Sequence, residues 1–314
     1  MKGGILPQRY TAGMIMSEST WWIFDGMTAV VLIIFAVITA KRGLIKGVVS
    51  MAGFVLSVLL AVTVSGSVSG SMYKSVVRAS SIKELNKIID ENTLTDKLSF
   101  ELENMGYNMS VDQKKLRSIL ENSKSYDEDI YKFMNNINGK KVDDEEPFME
   151  NLHTAYSNVV KSIMKKDIDM YHYENAAQMV LDDPSLFTKG IPFFLEKEDL
   201  RPAAEYLCDT FLESSYNSAF RLLILIVLLA VFIVLSLIFA QAAGRNDKME
   251  PGIVRHLFCG LMGLVKGAAV VFVIAVILRI SVIYGSNREL MINYPAIDRT
   301  YVFKYVYDFV CGLK

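Results

Sequence analysis

The sequence predicts an all-α integral membrane protein, a four-helix bundle of two hairpins with a large helical extramembrane insertion between the second and third spans. Three observations carry this. Long apolar runs occupy residues 21–40, 47–64, 222–243 and 257–278. A basic, glycine-containing motif occurs twice, as Arg42-Gly43-Leu44-Ile45-Lys46-Gly47 and as Gly263-Leu264-Val265-Lys266-Gly267. Charge is also divided: residues 65–217 carry 18 Lys and Arg against 27 Asp and Glu, net −9, while the remainder carries 15 against 7, net +8. An acidic polar block inside a basic apolar frame is a two-part architecture.

Residues 1–20 read as an N-terminal tail. The tail has no apolar core of the secretory-signal kind, so the run that follows is expected to be retained as a span. The first hairpin is residues 21–64. Its first run, Trp21 to Ala40, covers about 30 Å as a helix, the thickness of a bilayer core. Trp21 and Trp22 stand where indoles prefer the membrane–water boundary. Asp25, the one charge in the run, is expected to cap and complement the dipole of its own helix, with an intramembrane ion site as the alternative. Lys41, Arg42 and Lys46 form the basic corner. The second run is rich in small residues, among them Gly47, Ser50, Gly53, Ser57 and Ala61, and Gly43 with Gly47 makes a GxxxG step. Such spacing lets helix backbones approach within one chain; a homodimer seam is the alternative.

The block at 65–217 carries helical apolar stripes, such as Leu152, Tyr156, Val159, Val160 and Ile163. Ser81 with Glu84, and Ser110 with Gln113, are spaced as capping boxes. Asp183-Pro184 and Gly190-Ile191-Pro192 predict turns, and Pro202 a helix start. The stripes are narrow, so they pack on each other, on a second copy, or as a coiled-coil-like arm.

The second hairpin, 218–284, holds Leu222 to Ala243, a corner at Gly244 to His256 with Arg245, Lys248, Arg255 and Pro251-Gly252, and the run Leu257 to Leu278. Gly260, Gly263 and Gly267 crowd its first turns, and Lys266 is expected to snorkel toward the headgroups. In the tail, 285–314, one amphipathic helix is expected near Ile297 to Val310, lying at the interface or docking on the polar block.

Four spans place both termini and the insertion on one side and both corners on the other. Positive short loops stay cytoplasmic, which puts the termini and insertion outside. Chemistry is sparse. No acid sits at mid-span, and HExxH, GxSxG and Walker-type glycine loops are missing. His153, His172 and His256 are not spaced as metal ligands, and His172 reads as part of a solvated helix face. The acids Asp143 to Glu146 lack the spacing of a calcium loop. Cys208, Cys259 and Cys311 form no CxxC pair. No catalytic, cofactor-binding or metal residue is expected, and the acidic block disfavours nucleic acid. The partners expected are the lipid bilayer and a protein or second copy, met through the membrane helices or the insertion.

The candidate functional residues are therefore those of the motif: Asp25, Arg42, Gly43, Lys46, Gly47, Gly260, Gly263, Lys266 and Gly267. With the tail segment Ile297-Asp298-Arg299-Thr300-Tyr301-Val302-Phe303-Lys304, they make residues 21–64 and 219–310 resemble the colicin V production protein (CvpA-like) family of bacterial inner-membrane proteins. The long insertion departs from the short connector of that family. The resemblance implies a non-enzymatic four-span protein of the bacterial cell membrane, supporting toxin production or export and envelope homeostasis, with no cofactor. A small transporter or channel built on the repeated hairpins, and a sensor using the insertion, are the competing readings.

Overall fold

A computed structural model describes residues 21–196, 199–245, 252–284 and 294–313. The tail at 1–20, Lys248 and Pro251 of the second corner, and Arg288 lie outside them. All regular structure among the described residues is helical. In chain order the helices are α1 (Trp22–Ala40), α2 (Leu44–Met72), α3 (Arg78–Ile88), α4 (Thr93–Glu103), α5 (Gln113–Asn122), α6 (Tyr126–Asn138) and α7 (Glu145–Met164). There follow α8 (Met170–Asp182), α9 (Ser185–Leu195), α10 (Arg201–Leu207), α11 (Glu213–Ala243), α12 (Ile253–Tyr284), α13 (Tyr294–Asp298) and α14 (Phe303–Cys311). Single π-helical turns occupy Tyr73–Val77 and Cys208–Leu212.

The chain divides into two compact units, one of residues 1–69 with 218–314 and one of Gly70–Asn217. Four helices, Trp22–Ala40, Leu44–Ile88, Arg201–Ala243 and Ile253–Tyr284, are long and apolar enough to cross a membrane. Their surfaces fit that medium. Ile33, Ile34 and Val37 of α1, and Val227, Val234, Ile238 and Phe239 of α11, are exposed, more apolar surface than water tolerates. The buried face of α2 is made mostly of small residues, four of them serines: Gly47, Ser50, Phe54, Ser57, Ala61, Ser65 and Ser69. Its hydroxyls are absorbed by the helix's own carbonyls, as in Ser57 Oγ to Gly53 O at 2.7 Å.

In the second unit the narrow stripes pack on one another. Leu85, Leu98, Leu116, Ile130, Leu152 and Phe211 all belong to one buried core, so neither a second copy nor an arm is needed to cover them. Local punctuation in the sequence misleads at three places. Ser81 is no N-cap, because α3 starts at Arg78 and buries it. Asp112, not Ser110, caps α5, accepting from the amides of Lys114 and Lys115, while Ser110 Oγ donates to Glu103. Gly190-Ile191-Pro192 lies inside α9 instead of forming a turn. There the burial of Phe187, Ile191 and Phe194 outweighs the bond Pro192 cannot make, and Gly190 admits the ring of Tyr206. Pro202 does sit in the first turn of α10.

His172 is also corrected: it is not on a solvated face but 2% exposed. Its Nδ1 lies 2.8 Å from Ser215 Oγ, and its ring stacks on Tyr216 at 3.7 Å. Burial pushes its pKa down from 6.5 to about 4. The folded state therefore stays neutral where the unfolded chain takes up a proton. Stability from this site is full above pH 6.5 and is lost as pH falls toward 4. At pH 5 the loss is expected to be about 2 kcal/mol. Denaturant unfolding of the full chain in detergent at pH 7 and pH 5 measures it, and His172→Phe should flatten that difference. An unchanged pH difference in the variant rejects the assignment.

Candidate functional site

The motif residues are positioned by the packing of α1, α2 and α12 within the membrane unit. The corners follow sequence order, but the most extensive pairing joins the first and fourth of these long helices, α1 and α12. Glycine permits it. A Cβ at Gly263 would stand 2.6 Å from Ala36 Cα, and one at Gly267 would stand 3.1 Å from Leu32 Cα. Gly260 continues the same face, opposite Ala36 O. The close-approach step is thus Gly263–Gly267, backbone against backbone.

The upstream pair behaves differently. Gly43 precedes the first residue of α2, so it makes no helical GxxxG face with Gly47; its carbonyl accepts from Gly47 N at 2.9 Å and starts the helix. Gly47 is buried against α12, where a Cβ would meet Met262 Sδ at an ordinary 3.4 Å. Arg42 donates its amide to Thr39 O at 3.0 Å, turning the chain at the corner. The stem of Lys46 packs against Gly244, where a Cβ would come within 2.7 Å of it. His256 closes the corner side, with Nδ1 2.8 Å from Ala40 O at the end of α1.

Lys266 does not snorkel. It is 2% exposed, and its Nζ donates to Ser50 Oγ on α2 at 3.4 Å. Ser50, on the small-residue face of α2, is the partner that receives it. An ammonium inside a membrane bundle is expensive to hold and marks a constrained position. The sequence shows Ser50 only as one more small residue; nothing in its spacing names it as the partner of Lys266.

Asp25 is corrected as well. It does not cap α1, whose N-terminal residue Trp21 makes no side-chain cap. Its carboxylate instead accepts the amides of Tyr301 at 2.6 Å, Val302 at 3.1 Å and Phe303 at 3.1 Å. Those are the two amides leading into α14 and its first one, and the next, Lys304 N, goes to Thr300 Oγ1 at 2.8 Å. The single tail helix expected near Ile297 to Val310 is accordingly broken at this point into α13 and α14. A chain segment gathered around one carboxylate cannot stay helical through its own amides. α14 then lies on the bundle rather than free: Phe303, Tyr307 and Val310 are buried, Phe303 stacks on Phe24, and Phe309 meets Phe272.

The structure therefore places Gly260, Gly263 and Gly267 against α1, and Gly47 and Lys266 in the contact between α2 and α12. Asp25 sits apart at the α14 junction, and Arg42, Gly43 and Lys46 at the corner. Among the described residues, no group of three His, Cys, Asp or Glu is placed to hold a metal ion, and the three cysteines are free thiols. Comparison with models of protein families, with curated proteins and with solved structures returned no match.

Proposed function

We propose that this chain is a non-enzymatic multi-pass protein of the bacterial cytoplasmic membrane, of the colicin V production type, supporting toxin or bacteriocin production or export and envelope homeostasis. One observation carries the reading: motif residues from both halves of the chain serve contacts among the same three helices, Gly47 of α2 packing on Met262 of α12, Gly263 and Gly267 of α12 on α1, and Lys266 reaching Ser50 of α2. In this reading the bundle anchors the acidic helical unit, which meets a partner protein outside the cytoplasm. The basic corner at Lys41, Arg42 and Lys46 supports that orientation.

The test is deletion in the source bacterium. The strain is expected to release less bacteriocin or to become sensitive to envelope stress. Wild-type chain should restore it, and Gly267→Leu at matched abundance should not. A reporter inserted at Asn138 of the complementing copy should be reachable from outside the cell. Unchanged release and unchanged envelope sensitivity in the deletion strain reject the function; a reporter reached only from the cytoplasm reverses the orientation.

A further inference from the structure

We propose that the membrane unit carries a binding site for one anionic glycerophospholipid, with an acyl chain in the groove between α2, α12 and α14 and the phosphate on Lys304. The groove holds about 420 Å³ and is lined by Val55 and Leu59 of α2, Ala269 and Phe272 of α12, and Tyr305 and Phe309 of α14. Ala269 and Phe272 form a buried floor, while Val55, Leu59, Tyr305 and Phe309 are exposed along the walls. Both floor and walls are apolar, in the size range of roughly 300–1,000 Å³ typical of small-ligand sites.

Depth and size select the occupant. Ala269 lies about 24 Å along α12 from its start at the corner, in the half of the bundle where α14 packs. α14 sits at the level of the aromatic boundary, with Trp21 edge-on to Tyr301 at 5.4 Å. The groove thus runs inward from headgroup level. Its volume equals only about one turn of an α-helix roughly 10 Å wide, too little to seat a span from a second copy.

Charge selects the headgroup. Lys304 Nζ stands over the ring of Tyr305, 5.3 Å from its centroid, which places the ammonium at the rim of the groove. Lys304 acts through space on two carboxylates, Asp25 and Asp308, and among the described residues it forms no ion pair within 4 Å with either. Asp25 is committed to three amides, and Asp308 is exposed one turn farther along α14. A phosphate beside Lys304 would complete the pairing that the protein leaves to its surroundings.

Native mass spectrometry of the full chain, equilibrated with vesicles of equimolar phosphatidylglycerol and phosphatidylcholine, tests this. One retained phospholipid per chain is expected, with phosphatidylglycerol favoured about fivefold, the worth of one basic contact near a charged surface. Lys304→Gln should keep the lipid and erase that preference. Ala269→Phe, which fills the floor, should lower retention about tenfold, as for losing two buried methylenes. Leu59→Trp fills the same groove from an exposed position and serves if Ala269→Phe fails to fold. Retention unchanged in both filled variants, equal retention of the two lipids by the wild type, a preference that survives Lys304→Gln, or a dimer mass in place of bound lipid would each overturn the site.

Discussion

Gly263→Ala is expected to destabilise the membrane unit by about 3 kcal/mol or more, at or above the upper end for overpacking a filled interior. The added methyl would lie 2.6 Å from Ala36 Cα, and the obstruction is backbone, which has no rotamer to turn aside. Relief requires α1 and α12 to separate along their shared face, forfeiting the dispersion contacts that hold helices together in lipid. The same substitution elsewhere calibrates the effect. Gly47→Ala meets only Met262 Sδ at 3.4 Å, the end of a flexible side chain, and should cost below about 1 kcal/mol. Gly26→Ala, with nothing within 4 Å, should be neutral or slightly stabilising through helix propensity. Thermal unfolding of the three variants in mild detergent measures the order. If Gly263→Ala melts with Gly26→Ala, the backbone contact is not what holds α1 to α12.

Why Gly263 outranks Gly47 shows what the sequence carries and what it does not. Four lipid-crossing helices were legible because about 20 apolar residues in a row have few other uses. The helical insertion was legible from stripes at helical spacing, which the core of Leu98, Leu116 and Leu152 uses as expected. Glycine motifs named residues but not their roles. Both steps read as GxxxG, yet whether a glycine is helical depends on where the corner ends, and α2 starts one residue after Gly43. Lys266 carried the same ambiguity: its depth suggests snorkelling until Ser50 is seen across from it. The partner of Asp25 was out of reach, since it lies 276 residues away. One hint was available. The tail helix offers Thr300 for one of its first amides and no side chain for the others, so an outside acceptor was owed.

That acceptor gives the second large effect. Asp25→Ala is expected to weaken docking of α14 by about 1–2 kcal/mol, the range for losing an N-cap, and so to raise its open population by roughly five- to thirtyfold. Three amides lose one carboxylate, but two of the three bonds are exposed, and water takes up the freed N–H groups once α14 lifts. Phe303, Tyr307 and Val310 stay apolar and keep the helix near the bundle, so the chain should remain folded. Asp25→Asn, which keeps a neutral acceptor, should fall between wild type and alanine. Hydrogen exchange decides where the effect lands. If Asp25 serves α14, protection drops across Phe303–Cys311 and the half-buried Cys311 thiol becomes more reactive to alkylation. If it serves its own helix, the loss is confined to the first turn of α1, with α14 unchanged. The second outcome would mean that the carboxylate does not fasten the two ends of the chain together, and that the break between α13 and α14 needs another cause.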